Sequence, residues 1–483
     1  MFPFVFAIGI AIAYLFIPVY LTWWTVLFTL LLTVLFALTF SRKPFLSSAS
    51  SLFPIPLVLS TAIMLTLIQK SLHDITVPSQ PANYDVVVCD EPQKGGKTTN
   101  VNVIIINGIF SGKEARLSFA DTACASLFIP GDGLTVKCQL QKPSHTGYSN
   151  FNYARHLDAR GIMLTAHVPQ RQWYSKQSQL DSLSLLQKAI IGLKHLRHQL
   201  LLILHKQNLS PESLAIVAAM TLGDKTMLTK QQRDTYSATG ASHALALSGL
   251  HLTAIYIILT MLFFRRTDRW YSKGIILGLI WVYVFIVGMP PSATRSATML
   301  TIYSIIDISN RHQSPLHPLL LTAMLMMASN PAVLFDVAFQ LSFLAVLSII
   351  VASRICANRP LLHYLLFNLL VFLLTFPLVA YYFGRIPIYF LATNIIVTPT
   401  AAFIVYLSMT TLALSSVPLV GASLSAALDL LVSTLTASLA FISRLPFSTI
   451  STPDMPFALL LLFYGLSGII VSYILSINFR KIC

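Results

Sequence analysis

The sequence predicts a polytopic α-helical membrane protein of about 12 transmembrane helices, interrupted near its start by one small β-rich insert. Three observations predict it. Of the 483 residues, 55% are hydrophobic and only 10% are charged, far below the charged share of a soluble domain. Apolar runs recur along nearly the whole chain, each long enough to cross a bilayer core of about 30 Å. Between residues 80 and 172 the pattern changes to short alternating runs separated by glycine-rich turns.

Three spans come first, over 2–17, 19–40 and 52–69. No basic residue precedes the first and the second follows at once, so the pair reads as a retained helical hairpin rather than a removable signal peptide. In the insert, Tyr84–Cys89, Val101–Ile106, Arg116–Phe119 and Leu134–Leu140 read as strands. Gly95–Gly96, Asn107–Gly108 and Gly131–Gly133 break them, a spacing that suggests a small barrel or sandwich. Leu183–Leu209 is apolar on one side with Lys188, Lys194, Arg197 and Lys206 available to the other, as in a helix lying in the membrane interface; packing on the membrane domain is the alternative. Helical stretches over 211–222 and 229–239 follow, separated by Gly223-Asp224-Lys225. Nine spans complete the chain, near 243–264, 274–289, 292–308, 316–329, 334–352, 361–383, 389–414, 421–441 and 456–477; Pro399 marks the seventh as broken or re-entrant. The domains expected are therefore 1–70, 80–175, 180–241 and 242–483.

Charge sets the orientation. The net charge is +15, but Arg42, Lys43, Arg265, Arg266, Arg269, Lys273, Arg311, Arg354, Arg359, Arg480 and Lys481 fall in loops that share one side, with Asp268 as their only acid. The positive-inside rule makes that side cytoplasmic. Both termini then face the cytoplasm and the insert is extracytoplasmic. The excess of base in 80–241, 17 basic against 11 acidic residues, is mild. Of the five cysteines, Cys89, Cys124 and Cys138 lie in the insert and no C-x-x-C pair occurs. Two of the three could bridge in an oxidising compartment, in any of three pairings, or all could be buried thiols.

Polar groups inside spans cost a few kcal/mol when they face lipid and so face a bundle interior or cavity. Three spans carry them at their outer ends: His243, Ser248, Gly249 and His251; Ser292, Thr294 and Arg295; Asn330, Asp336, Gln340 and Ser342. In one continuous helix His251 would lie about 12 Å below His243. A polar vestibule tapering near His251 is expected. An Arg295–Asp336 pair and a Ser248–His251 hydrogen bond that merely tie helices together are the alternative.

These residues also carry a resemblance. Leu222-Gly223-Asp224, followed by Ser242-His243-Ala244-Leu245-Ala246-Leu247-Ser248-Gly249-Leu250-His251, is similar to the L-G-D and S-H-x-L-A-x-S-G-x-H motifs of the ComEC competence family. Pro290-Pro291-Ser292 with Arg295, and Asn330-Pro331 with Phe335-Asp336 and Gln340-Leu341-Ser342, match at the family's intervals. Pro130-Gly131-Asp132 and Asn150 through Tyr153, Arg155 and Gly161 resemble its OB-like extracytoplasmic domain. The resemblance implies an extracytoplasmic small β-barrel (OB-like) insert and a channel that passes single-stranded DNA across the bacterial cytoplasmic membrane. The path would be lined by Asp224, His243, Ser248, Gly249, His251, Arg295, Asp336 and Gln340. In the insert, Lys113, Arg116, Lys137, Lys142, Arg155, Arg160 and Arg171 could meet phosphates while Tyr148 or Tyr153 stack bases. Membrane lipid, an extracytoplasmic DNA receptor, a cytoplasmic ATP-driven helicase-like protein and a second copy of the chain are the partners expected.

No catalytic residue, cofactor or metal ligand is assigned. The metallo-β-lactamase-like motif H-x-H-x-D-H of many family members does not occur in these residues, so a nuclease role is not implied. Lys94-Gly95-Gly96-Lys97-Thr98 lacks the leading glycine of a phosphate loop, Glu91 standing there, and reads as a hairpin turn. His195, His198 and His205 have no acid or cysteine nearby in sequence to complete a metal site. Two other functions fit some of the same residues: a small-molecule or lipid-linked secondary transporter, and an intramembrane Ser248–His251 hydrolase.

Overall fold

The computed structural model describes residues 2–18, 24–25, 27–29, 31, 54–73, 76–78, 80–95, 97–120, 122–125, 127–144, 152–176, 183–262, 270–308, 314–353, 360–452 and 455–482. Most of the expected span 19–40, together with Tyr148 and most of the basic loops, including Arg42, Lys43, Arg265, Arg266, Arg269, Arg311, Arg354 and Arg359, lies outside these residues.

Helices α1 (Phe2–Leu15) and α2 (Pro54–His73) pack side by side. Gly9 lets them close, since a Cβ there would meet Ala62 Cβ at 2.8 Å. The β-rich insert follows as a seven-stranded sheet of β1 (Ala82–Val88), β2 (Gln93–Gly95), β3 (Thr98–Ile105), β4 (Glu114–Phe119), β5 (Gly133–Cys138), β6 (Ile162–Val168) and β7 (Trp173–Lys176). Its order is β6-β4-β3-β1-β5-β7, with β2 hairpinned onto β3 at Gly95–Thr98. The Lys94–Thr98 stretch is thus the expected hairpin. All pairs are antiparallel except β4–β6. Past the end of β5, Gln141 bridges Thr165 of β6, bringing the two sides of the bent sheet together at one point. Alternation builds the core: Val86, Val88, Val101, Val103, Ala115, Leu117, Phe119, Val136 and Leu164 all point inward. Cys89 and Cys138 are both buried as free thiols, as burial in an apolar setting favours.

Two short helices, α3 (Thr122–Ala125) and α4 (Tyr153–Asp158), interrupt the sheet. Helix α5 (Leu185–His205) follows, opened by a Ser184–Gln187 capping box. Its buried residues meet protein at two places. Ile191 packs with Val87, Cys89 and Ile104 on the outer face of the sheet, while Leu201 and Leu204 join the helical core. Lys194 pairs with Asp90 at 2.8 Å, His198 with Glu91 at 2.9 Å, and Arg197 donates to the Val287 carbonyl at 3.4 Å. The amphipathic pattern served two protein partners, and two of the four basic residues expected in the interface are turned inward.

Helix α6 (Pro211–Val217) runs into a π-helical turn, Ala218–Leu222, which Gly223 ends in the left-handed region (φ 71°). Even without that φ a side chain would not fit, since a Cβ would meet Leu247 and Val287 at 2.8 and 2.9 Å. Among the described residues, helix α7 (Lys230–Ala238) precedes nine further helices: α8 (Gly249–Leu262), α9 (Trp270–Ile286), α10 (Pro291–Ile308), α11 (Leu316–Ser329), α12 (Val337–Ser353), α13 (Pro360–Phe383), α14 (Phe390–Ala413), α15 (Pro418–Arg444) and α16 (Phe457–Ile482). A small antiparallel pair of β8 (Arg385–Pro387) and β9 (Thr449–Ser451) joins the ends of α13 and α15. Among the described residues, four helical segments are long and apolar enough to cross a membrane: Ile55–Leu72, Tyr364–Phe383, Phe390–Ala413 and Leu419–Arg444. Several other apolar helices are shorter, Gly249–Leu262 and Leu316–Ser329 among them.

Two expectations change. α14 is continuous through Pro399, neither broken nor re-entrant. Residues 241–248 are not helical like the rest of the first span: a 3-10 turn over Ala241–His243 precedes α8. His251 therefore sits in the first turn of α8 instead of two turns below His243.

Candidate functional site: a polar seam between the sheet and the helices

The site is the seam where α4 meets the bundle. The turn Pro331–Phe335 and the start of α12 form the floor. Asn330 is its hub. The Asn330 side chain accepts from Ala332 N at 3.0 Å to cap the turn, receives Gln69 Nε2 of α2 at 2.8 Å, and donates to the Ala159 carbonyl at 3.1 Å. From α4, His156 Nδ1 lies 3.3 Å from Asp336 Oδ1 and Asp158 accepts from the Tyr14 hydroxyl at 3.0 Å. The Arg155 guanidinium stands over the rings of Tyr14 and Phe335, at 5.7 and 5.4 Å, close enough for cation–π attraction. An open cleft of about 100 Å³ lies here, lined by Asn152, Arg155, His156, Phe335, Asp336, Val337, Tyr381 and Tyr382.

The residues expected along the path are only partly brought together. Asp336 is buried and pairs with His156, not directly with Arg295. Gln340 is held locally, donating to the Leu334 carbonyl at 2.9 Å and accepting from the Tyr382 hydroxyl at 3.2 Å. Arg295 is 4% exposed, within electrostatic reach of Asp336, and its Nε and Nη1 have no hydrogen-bond partner among the described residues. Each orphaned buried donor costs about 1–3 kcal/mol. His251 is fully buried; its Nδ1 accepts the Ser248 backbone N–H at 2.9 Å, with Ser248 Oγ at 3.3 Å, and its Nε2 faces no partner among the described residues. Gly249 lets α8 approach α10, because a Cβ there would meet Ser296 Oγ at 2.9 Å. Ser292 Oγ donates to the Leu247 carbonyl and ties the same two elements. His243 donates to the Gly240 carbonyl at 3.0 Å and remains solvent-exposed. Asp224 belongs elsewhere: it caps its own turn through Thr226 and faces Arg197 of α5 at 3.8 Å.

The basic residues expected on the outside of the insert divide. Lys137, Lys142 and Arg171 are exposed and Lys113 is half-buried. Arg116, Arg155 and Arg160 turn toward the helices. Arg116 donates to Asn102 Oδ1 and to the Tyr153 hydroxyl, both at 2.9 Å. Arg160 is solvent-exposed and lies within electrostatic reach of Asp336 and Arg116. Burial and the neighbouring Arg116 lower its pKa, while Asp336 and Asp90 oppose that shift. Lys225 is likewise exposed. Burial lowers its pKa, and the charges acting on it, Arg160 and Arg233, are both positive. Arg233 also donates to the Lys225 carbonyl at 2.8 Å. His156, Lys225, Arg233, Tyr381 and Tyr382 were not singled out from the sequence. Lys225 directly follows the Leu222-Gly223-Asp224 motif and His156 directly follows Arg155, so adjacency was the available signal.

The motif residues of the helical region fall within a match to a known family. The family model described as Competence protein matches residues 220–476. The chain belongs to that family. Two relatives extend the comparison. ComE operon protein 3 of Bacillus subtilis (strain 168) is 30% identical over 203 residues, covering 40% of this chain and 26% of the relative. An uncharacterized protein of Aquifex aeolicus (strain VF5) is 28% identical over 216 residues, covering 44% of this chain and 51% of the relative. The aligned part thus spans between about a quarter and a half of each relative's length. No solved structure matches. The Competence match takes in Gly223, Asp224, Lys225, His251, Arg295 and Asp336 and excludes the sheet, so the seam joins the family's helical region to a part outside the match.

Proposed function

We propose that this Competence-family protein is a channel that carries single-stranded DNA across the bacterial cytoplasmic membrane during DNA uptake. One observation carries the reading: Arg116, Arg160, Lys225 and Arg233 form a row of cations, each within electrostatic reach or contact of the next, which we read as a recess for a polyanion between the sheet and the helices. Like charges this close repel by about 1 kcal/mol or more per pair at a protein edge. A polyanion threading the recess relieves that repulsion and gains charge-assisted hydrogen bonds. A single strand is favoured over a duplex because the aromatic groups of the seam can meet only unpaired bases.

The sheet order supports an OB-like role for the insert. Read as β1-β3-β4-β6-β5, with β4–β6 parallel and the Gln141–Thr165 bridge bringing β5's extension to β6, it follows the five-stranded path of OB-type barrels that track a nucleic-acid backbone. In this reading the insert faces outward, receives the strand from a DNA receptor, and passes it to the mouth formed where α8, α10 and α12 begin. An ATP-driven cytoplasmic partner draws the strand inward, and strand degradation is left to another protein.

Deletion tests this directly. It should abolish transformation by free DNA while leaving duplex DNA bound at the cell surface. Normal transformation together with loss of an unrelated solute flux would replace the channel by a transporter.

A further inference from the structure

The cleft lined by Arg155, His156, Asp336, Tyr381 and Tyr382 is not used by the phosphate-binding recess, although Asp336 lies within electrostatic reach of Arg160 and so adjoins it. Its lining is mixed in a particular way. Tyr381 and Tyr382 meet edge to face, with centroids 5.0 Å apart, and Tyr382 is fixed by its hydroxyl bond to Gln340. Phe335 forms another wall and stacks at a tilt on Tyr14, 4.9 Å away. Asp336 commits Oδ1 to His156, while its Oδ2 has no partner among the described residues. Arg155 stands at the rim, steered by Tyr14 and Phe335.

Flat aromatic walls, one free carboxylate oxygen and a cation at the rim are the complement of a nucleotide unit. The aromatic faces take a base, the carboxylate accepts a base N–H, and the guanidinium meets the adjoining phosphate. We propose that this cleft is a slot for one unpaired nucleobase of the passing strand, with Tyr381 and Phe335 as its stacking walls and Asp336 as its acceptor. The slot rests on the channel reading and deepens it: the basic recess holds backbone while the slot holds one base, so a strand is gripped in register at the seam. A duplex has no free base to insert. Because every base has an aromatic face, the slot grips any sequence; a free carboxylate adds preference only among base N–H donors.

The full-length protein in lipid nanodiscs tests this with a short oligothymidine carrying a single 2-aminopurine. Binding is read by anisotropy and stacking by quenching of the base analogue. The expected result is quenching on binding by the wild type, lost in Tyr381→Leu with affinity weakened about five- to a hundred-fold, the worth of one base–aromatic stack. Restoring the ring with Tyr381→Phe should recover the quench. Binding without quenching, or a Tyr381→Leu protein that quenches like the wild type, overturns the slot and leaves the channel standing. Failure to bind the strand at all, together with normal uptake by the deletion strain, overturns both.

Discussion

Lys137, Lys142 and Arg171 are exposed on the insert, whereas Arg116 is half-buried against Asn102 and Tyr153, and Arg160, itself exposed, lies within electrostatic reach of Asp336 in the helices. In sequence these cations look alike. In the fold, the outer ones are screened by water and salt, and the inner ones act in a medium where each charge counts for more. Composition therefore overstated the outer surface and understated the seam. The mild basic excess of the insert matters chiefly where the fold concentrates it.

The comparison can be broken in several ways, beginning with the largest expected effect. Replacing Arg160 and Lys225 together by alanine should lower strand binding about a hundred-fold, since each removes a charge-assisted contact of about 1.5–3 kcal/mol, with membrane-inserted protein unchanged. If the triple Lys137, Lys142 and Arg171 alanine variant loses as much, the distinction between inner and outer cations fails. Asp90→Asn should destabilise the docking of α5 by about 2 kcal/mol, because it leaves the Lys194 ammonium, 12% exposed, without its partner; chemical denaturation in detergent reads this. The same pair has a pH signature. Burial alone would raise the Asp90 carboxyl, but Lys194, Asn102 and Arg197 outweigh it and hold it below its usual value. Its contribution is thus complete above about pH 4 and is lost as pH falls through the depressed value.

A subtler effect is expected at Arg295. Arg295→Met removes a buried guanidinium with two orphaned nitrogens, so thermal stability should hold or rise while uptake falls about ten-fold, the worth of one lost charged contact. Loss of stability without loss of uptake would make Arg295 a packing residue. Smallest of all, single alanine replacements of Lys137, Lys142 or Arg171 should change binding less than about two-fold and shift the salt slope by at most about 0.7 each.

Much of the helical region was legible. The segments expected at 316–329, 361–383 and 456–477 appear as Leu316–Ser329, Pro360–Phe383 and Phe457–Ile482, because long apolar runs bounded by Pro, Gly and charge leave few other readings. Among the strands, Val101–Ile106 and Arg116–Phe119 were visible from alternation, whereas Ile162–Val168 alternates just as well but was not read as a strand. The misplaced groups share one cause. Spacing says which residues share a face; it does not say what covers that face. Lys194 and Arg197 have the look of an interfacial helix until Asp90 and Asp224 are brought against them. Arg155 and Arg160 read as surface cations until α4 docks on Pro331–Phe335. The depth assigned to His251 failed for a local reason: the residues after His243 do not continue as α-helix.

Helix α5 lends Ile191 to the hydrophobic layer outside the sheet and Leu201 and Leu204 to the interior of the bundle. Excising the β-rich region would therefore open an apolar scar on the side of that helix that carries Ile191. Sheet and bundle should melt in one transition, and a transplant of the sheet between relatives would succeed only if residues 185–205 travelled with it.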